Sequence, residues 1–277
     1  MSVVPGARRE RAEALDGPTH YDRYVVPFTI PYADALLDAV GTNPTHVLDH
    51  GAGTGTLTRL ILKTMPRARV TALDPSPPML ARLSAALAPD DGERVEVRTG
   101  TAANLLPADR FDAIASQLAF MFVDDPETDL LHLRAHASED ATLAIGVLGG
   151  RGDVVAFDLY WSAAKRIDPS LAGPEEYPHF RFEDPSSLAD AAGRSGWSEV
   201  EVHRITSARE VDTDELWEWL SDAMHIRHAG TSELASLDDT KRQRLRAALI
   251  EAAEPFSIGG GRVRLPMNGW CLRAVAS

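Results

Sequence analysis

The chain has 277 residues, of which 44% are hydrophobic and 25% charged, enough apolar material for a large core in a soluble protein. Its formal charge of −13 disfavours nucleic acid or an anionic membrane as the main partner, because both favour a basic protein face. The single cysteine, Cys271, excludes an intramolecular disulfide framework and a multi-cysteine zinc site. No stretch approaches the ~20 apolar residues of a membrane-spanning helix, so a cytoplasmic protein with no membrane partner is predicted.

Apolar spacing predicts strands that alternate with helices in the first half of the chain. Residues 1–18 are predicted to be a flexible arm, and a helix over Tyr32–Val40 is predicted to follow the breaks at Pro27 and Pro31. The predicted strands here are Thr45–Asp49, Arg69–Asp74, Val95–Val97, Phe111–Ser116 and Ala141–Leu148, and the predicted helices are Leu57–Met65, Met79–Leu87 and Asp129–Ala137. This alternation predicts a parallel sheet covered on both faces.

The second half breaks this regular alternation after Gly149–Gly152. The predicted helices are Phe157–Ile167, Ser186–Arg194, Asp212–His228 and Thr240–Ala253, and one strand is predicted at Glu199–Ile205. Near the end, Arg262–Leu265 and Asn268–Ala276 are predicted to pair as edge strands.

The glycine-rich turn after the first strand has the order strand, tight turn, helix. Gly55 is followed by Thr56 and Leu57 rather than by Lys and Ser or Thr, which excludes a triphosphate-binding loop. Thr56 also occupies the third small position of a dinucleotide fingerprint, so NAD or FAD is disfavoured. Asp74, at the tip of the second strand, is placed to accept hydrogen bonds from ribose hydroxyls. The pattern therefore predicts a site for a nucleoside with a short amino-acid tail.

Four motifs in order resemble those of class I S-adenosylmethionine-dependent methyltransferases. The run Val47-Leu48-Asp49-His50-Gly51-Ala52-Gly53-Thr54-Gly55 resembles the first motif, and Asp74-Pro75-Ser76-Pro77-Pro78-Met79-Leu80 resembles the second. Residues 100–106 with Phe111-Asp112 resemble the adenine-side loop and fourth strand, and residues 116–126 resemble the fourth-strand exit of small-molecule members of the quinone-methylating type.

This resemblance implies an α/β fold with a Rossmann-like, seven-stranded, mostly parallel sheet that ends in an antiparallel hairpin. Helices would cover both faces, and insertions would form a helical lid. Residues 19–277 would be the methyltransferase domain, with its core at about 30–150, 195–206 and 262–277. The lid segments that roof the substrate would be 19–32, 151–190 and 207–261.

The resemblance also implies S-adenosylmethionine as the cofactor and assigns residues to it. The glycines would let the backbone approach the cofactor, Asp49 would orient the turn, and Asp74 would hold the ribose. The implied cofactor-binding residues are Asp49, Gly51, Ala52, Gly53, Gly55, Asp74, Pro75, Met79, Thr101, Ala102, Gln117 and Tyr21.

Two positions depart from the family pattern. Thr101 stands where an acidic residue usually contacts adenine, so that contact would come from Thr101, Asn104 or the backbone. His50 replaces a small or aliphatic residue of the first motif and would face either the helix packed behind it or the cofactor tail.

A hydroxyl acceptor would benefit from a general base, and histidine suits this role near neutral pH. The candidates are His20, His225 and His228 in the lid segments, with Gln117 placed where the methyl group meets the acceptor. Each of these histidines could equally serve helix packing. His132 and His136 have zinc-ligand spacing but lack the glutamate of a metalloprotease motif, so no metal is predicted.

The predicted function is methyl transfer from S-adenosylmethionine to a small organic acceptor, at oxygen, nitrogen or carbon, with a specialised metabolite or quinone-like compound as the acceptor. The alternatives are a cofactor-binding protein of this fold that catalyses another step, such as a cyclisation, and a non-catalytic binding partner. RNA methylation is a weaker alternative because of the acidic charge. A monomer or homodimer without nucleic acid is expected.

Overall fold

The computed structural model describes residues 17–169, 171, 178–227 and 237–277. The α-helices of this part are α1 (Gly17–His20), α2 (Val26–Val40), α3 (Thr56–Thr64), α4 (Pro77–Ala86), α5 (Pro126–Ala135), α6 (Val155–Ile167), α7 (Pro185–Arg194), α8 (Thr213–Arg227) and α9 (Asp239–Ala253). The strands are β1 (His46–His50), β2 (Arg69–Asp74), β3 (Val95–Thr99), β4 (Phe111–Gln117), β5 (Ala137–Leu148), β6 (Ser198–Ile205), β7 (Ala208–Asp212), β8 (Ser257–Gly259), β9 (Arg262–Pro266) and β10 (Gly269–Val275). A π-helical segment, Tyr21–Val25, joins α1 to α2.

A seven-stranded sheet in the order β3-β2-β1-β4-β5-β10-β6 forms the centre of the molecule. Strands β1 to β5 run parallel, and β10 runs antiparallel to both of its neighbours. The apolar residues of β1, β4 and β5 are almost fully buried, as expected for parallel strands with helices packed around them. The predicted seven-stranded, mostly parallel sheet is therefore confirmed.

Helix α2 begins earlier than predicted and continues through Pro31. The prediction of a start at Tyr32 was wrong because tertiary packing compensates for the helix hydrogen bond that a proline removes. Phe28 and Tyr32 are both buried against the sheet side of the core. The Tyr32 hydroxyl also donates a hydrogen bond of 2.9 Å to the carbonyl oxygen of Met267, which fixes the helix to the chain that enters β10.

The prediction that the last two strands pair at an edge was also wrong. Strand β10 lies inside the seven-stranded sheet between β5 and β6, whereas β9 lies in a separate three-stranded sheet of order β7-β9-β8. Cys271, Leu272 and Ala274 are buried in β10. This position removes apolar surface of the strand from water on both faces and gives it hydrogen bonds on both edges. Segments adjacent in sequence usually pair, and only the packing of β10 overrides that tendency here.

The three-stranded sheet holds a buried arginine against α8. Arg209 of β7 is 3% exposed, and its Nη2 donates a hydrogen bond of 2.8 Å to Glu215 Oε1. Its guanidinium lies 4.2 Å from the ring centroid of Trp219, which is itself buried. This combination of an ion pair and a cation–π contact attaches α8 to the small sheet.

A carboxylate lies buried beneath the glycine turn. Asp49 is fully buried, and its Oδ2 accepts a hydrogen bond of 2.5 Å from the Thr58 hydroxyl in the first turns of α3. Burial raises the pKa of the Asp49 carboxyl from 3.8 to about 6; the Thr58 hydrogen bond opposes this rise, and the nearby charge of Asp74 adds to it. The contact joins the end of β1 to α3 on the far side of the turn.

Replacing Gly269 by alanine is expected to destabilise the sheet. An added Cβ would overlap the carbonyl oxygen of Val147 and the Tyr32 hydroxyl, so the backbone must move. We expect the free energy of unfolding to fall by about 1–3 kcal/mol in urea denaturation. Gly193→Ala in α7 is the control, since a Cβ there meets nothing within 4 Å and should stabilise by about 0.5–1 kcal/mol. Equal effects at both positions would contradict this account.

The raised pKa of Asp49 predicts a pH-dependent contribution to stability. Between about pH 4 and 6 the folded protein keeps the Asp49 proton that the unfolded chain loses, so the contribution of Asp49 to the free energy of unfolding falls as pH rises. The expected loss is about 3 kcal/mol, complete above about pH 6. Urea denaturation of the native protein and Asp49→Asn across this range should give free energies whose difference changes by that amount. Parallel curves would show that the Asp49 pKa is not raised.

Candidate active site

A cavity of about 580 Å³ opens at the carboxyl ends of the parallel strands. His50, Asp74 and Gln117 line it, and they are the last residues of β1, β2 and β4. The chain leaves β1 toward β2 and β3 on one side and returns to β4 and β5 on the other. Ligands of open α/β sheets bind at such a switch point because the two connections diverge there and leave a crevice.

The glycine turn forms the floor of the cavity. Gly51 and Ala52 each donate a backbone hydrogen bond to the carbonyl oxygen of Leu73, at 2.8 and 3.0 Å, so the turn crosses the end of β2. Gly53 has a φ of 55°, and a Cβ built on it meets nothing within 4 Å. A Cβ on Gly51, in contrast, would overlap Ala119. Gly51 therefore permits close packing of the chain, whereas Gly53 leaves its open side to the cavity.

Asp74 fixes the turn and faces the cavity at the same time. Its Oδ2 accepts a hydrogen bond of 2.9 Å from the Gly53 backbone N–H, and its Oδ1 accepts one of 2.8 Å from Ser76. Each carboxylate oxygen has a second lone pair, so Asp74 can still accept from two hydroxyl groups of a ligand.

One wall of the cavity is a shallow apolar surface that suits a flat ring. Pro75, Met79 and Ala103 line it, together with Gly100 and Thr101. Thr101 and Asn104 form a capping box at the start of the short helical turn Ala102–Asn104. In it, the Thr101 backbone N–H donates a hydrogen bond of 2.9 Å to Asn104 Oδ1.

Several residues predicted to bind the cofactor do not line the cavity. Asp49 lies beneath the turn, Ala52 is buried within it, Gly55 makes room for Leu83, and Ala102 is 1% exposed. These residues support the shape of the turn and the loop, and their direct contact with a cofactor stays a prediction.

Tyr21 and Gln117 close the cavity on the side of the N-terminal helices. Tyr21 lines it from the π-helical segment. Gln117 Nε2 donates a hydrogen bond of 2.7 Å to the carbonyl oxygen of Thr29, so the end of β4 is joined to α2. The Gln117 side chain thus holds α2 in addition to lining the cavity.

Of the three histidines predicted as bases, His20 is the one whose side chain is described, and it does not line this cavity. His20 is buried with its ring 4.8 Å from that of Tyr24 and is not among the lining residues. The side chain of His225 in α8 and the whole of His228 lie outside the described part of the chain.

Two other histidines line the cavity, His50 and His132. The side chain of His50 is 7% exposed, and its Nε2 lies 3.1 Å from Oδ2 of Asp129 in α5. Its Nδ1 lies 3.3 Å from the Ser116 hydroxyl. The departure at His50 from the family motif was the signal for this cluster, but its partner Asp129 is 79 positions away in sequence and only the fold brings them together.

Within the described residues, no group of three or more histidine, cysteine or acidic side chains could hold a metal ion. In the same part of the chain, no helix combines the length and the apolar character needed to cross a membrane.

Comparison with known proteins gives partial matches to methyltransferases. A family model described as a methyltransferase domain matches residues 47–137. A trans-aconitate 2-methyltransferase of Streptomyces avermitilis is 35% identical over 109 residues, which are 38% of this chain and 40% of that relative. The chain therefore matches less than half of the length of this relative. A malonyl-[acyl-carrier protein] O-methyltransferase of Anoxybacillus flavithermus is 26% identical over 254 residues, 87% of each chain.

Solved structures share the fold. The Burkholderia thailandensis 1,6-didemethyltoxoflavin-N1-methyltransferase, crystallised with its substrate and S-adenosylhomocysteine, has a TM-score of 0.53 at 18% identity, over 94% of this chain and 82% of its own. The Rossmann-like methyltransferase fold predicted from the sequence is thus confirmed. The matched family segment contains β1 to β4 and α5, the elements that surround the cavity. Residues 47–137 are thus similar to a methyltransferase domain, and the described chain has the fold of the class I S-adenosylmethionine-dependent methyltransferases.

Proposed function

We propose that the protein transfers a methyl group from S-adenosylmethionine to a small organic acceptor, at oxygen, nitrogen or carbon. The observation that carries this proposal is the meeting of the glycine turn and Asp74 inside one cavity at the switch point of the sheet. Its volume of about 580 Å³ lies within the range of small-molecule sites, roughly 300–1,000 Å³.

The residues of the cavity fit this cofactor. The open side of Gly53 permits close approach to the backbone, and the free lone pairs of Asp74 suit two ribose hydroxyls. Pro75 and Met79 offer an apolar surface to adenine. S-adenosylmethionine carries a net positive charge, and the carboxylate of Asp74 complements it. Once bound, the cofactor supplies a methyl group activated by attachment to a positively charged sulfur.

The protein's part in such a transfer is mainly positioning. A displacement at carbon needs the acceptor in line behind the methyl group, and holding two reactants in this geometry lowers the entropic cost of the reaction. Leu118, Ala119, Phe122 and Val123 line the cavity after β4, where an acceptor would lie. Their apolar character suits exclusion of water from the reacting groups.

The roles of the remaining segments are part of the proposal. Residues 19–32, 151–190 and 207–261 would roof the substrate, and 1–18 would be an arm of which residues 1–16 lie outside the described part. A cytoplasmic monomer or homodimer that does not bind nucleic acid remains our expectation. The relatives' acceptors, trans-aconitate and the malonyl group of an acyl carrier protein, are carboxylic acids, and the acidic cavity offers such acceptors little support.

Replacing Gly53 by alanine should weaken cofactor binding more than it destabilises the fold. The variant places a methyl group in the open space of the cavity and also strains the positive φ of 55°. Gly260→Ala is the matched control, with a φ of 61°, no atom within 4 Å of the added Cβ and a position outside the cavity lining. Calorimetric titration should show S-adenosylmethionine binding at least about tenfold weaker, ~1.4 kcal/mol, for Gly53→Ala and unchanged for Gly260→Ala. Equal affinities for both variants would place the cofactor elsewhere.

Asp74→Ala should weaken binding of S-adenosylmethionine and S-adenosylhomocysteine alike, by about 10–100-fold, because hydrogen bonds to a charged group contribute about 1.5–3 kcal/mol.

Methyl transfer itself is measured by incubating the native protein with radiolabelled methyl donor and pooled small metabolites. Label in a new product supports the proposal. Binding without any labelled product would overturn methyl transfer and favour a non-methylating step, such as a cyclisation, or a binding role.

A further inference from the structure

The cavity wall formed by α5 and the loop before it is acidic. Asp124, Asp125 and Asp129 line it together with His132, and no lysine or arginine of the described residues contributes to the lining. Arg181 is not among the lining residues, and its side chain donates hydrogen bonds to the backbone carbonyls of Val123 and Asp124.

Structural roles account for part of this charge. Asp125 is the N-cap of α5, since its carboxylate accepts hydrogen bonds of 3.2 Å and 2.7 Å from the backbone N–H and hydroxyl of Thr128. Asp124 lies in the loop and is exposed. Neither residue therefore requires a ligand to explain its position.

Asp129 differs from both because it is buried and its Oδ2 atom makes no hydrogen bond of regular geometry. Its side chain is 9% exposed at the cavity wall, and Oδ2 accepts no hydrogen bond of regular geometry although His50 Nε2 lies 3.1 Å away. Removing a carboxylate from water is costly unless a partner compensates. The His50 imidazole is the nearby group that compensates this charge, and Ser116 contacts its other ring nitrogen at 3.3 Å.

This inference rests on the function proposed above. We propose that Asp129, oriented by His50, binds the acceptor by accepting a hydrogen bond from its reacting hydroxyl or amine group. The acceptor is then a hydroxyl compound or a neutral amine, whose reacting atom has a lone pair, and it carries no carboxylate beside that atom. An anionic acceptor would face Asp129 and Asp124 without a compensating cation among the described lining residues.

The proton balance of the reaction agrees with this arrangement. A lone pair of the acceptor oxygen or nitrogen forms the new bond to the methyl carbon, and the pair of the broken carbon–sulfur bond stays on sulfur. The acceptor proton passes to the Asp129 carboxylate and from there to water. Asp129 is thus the catalytic residue that touches the acceptor, and His50 is a positioning residue that acts through it.

The first test identifies the class of acceptor. Products labelled in pooled metabolites, divided into amines, uncharged hydroxyl compounds and carboxylic acids, are identified by mass spectrometry. Label in amines or hydroxyl compounds is expected. Methyl esters of carboxylic acids as the main products would overturn the inference and leave methyl transfer intact, whereas absence of cofactor binding would overturn the proposed function itself.

The second test uses Asp129→Asn with the product class found above. General-base assistance contributes typically 10²–10⁴-fold, so kcat/KM for the acceptor should fall at least about 100-fold. The dissociation constants of S-adenosylmethionine and S-adenosylhomocysteine should stay within about twofold, which also verifies folding. Asp190→Asn is the control, since it removes the same charge from an exposed position of α7 outside the cavity lining, and kcat/KM should change less than about threefold.

His50 is tested through its effect on Asp129. His50→Gln keeps a hydrogen-bond donor toward Asp129 and should retain more of kcat than His50→Leu, with cofactor affinity unchanged in both. Equal loss in the two variants would overturn the positioning role. If Asp129→Asn weakens both cofactor forms about equally and leaves kcat unchanged, Asp129 instead contacts the ammonium group that the two forms share, and the inference about the acceptor fails.

Discussion

The crossing of the glycine turn over the end of β2 is the constraint on which the site depends. The backbone N–H groups of Gly51 and Ala52 both donate hydrogen bonds to the Leu73 carbonyl oxygen. The N–H group of Gly53 donates one to the Asp74 carboxylate. These bonds join two neighbouring strand ends and require backbone that only glycine adopts at low cost. Once the turn is fixed, the divergence of the connections on either side of β1 leaves the cavity open above it.

Buried charge is concentrated around this turn. Asp49 lies under it with a raised pKa, and Asp129 and His50 lie beside it at the cavity wall. Each buried carboxylate costs free energy that a purely apolar core would not. Such groups are retained where they orient neighbours or face a ligand, and here the first anchors α3 while the second faces the proposed acceptor position.

The segments that we propose to roof the substrate are held by a separate set of contacts. The hydroxyl of Tyr24, close to Tyr21 of the cavity, donates a hydrogen bond of 3.2 Å to Glu218 in α8. Arg209 joins the same helix to the small sheet through Glu215 and Trp219. Through these contacts, α8 is joined both to the segment that carries Tyr21 and to the small sheet.

The local pattern of the sequence determined the alternating strands and helices, the glycine turn and Asp74, because strand periodicity, glycine spacing and a carboxylate at a strand tip are encoded within a few residues. It did not determine that β10 enters the sheet between β5 and β6 or that α2 continues through Pro31, since both depend on burial against distant segments. The same distinction applies to the site. His50 was visible as an unusual residue in the motif, but its pairing with Asp129 required the fold, because β1 and α5 meet only when the sheet is assembled.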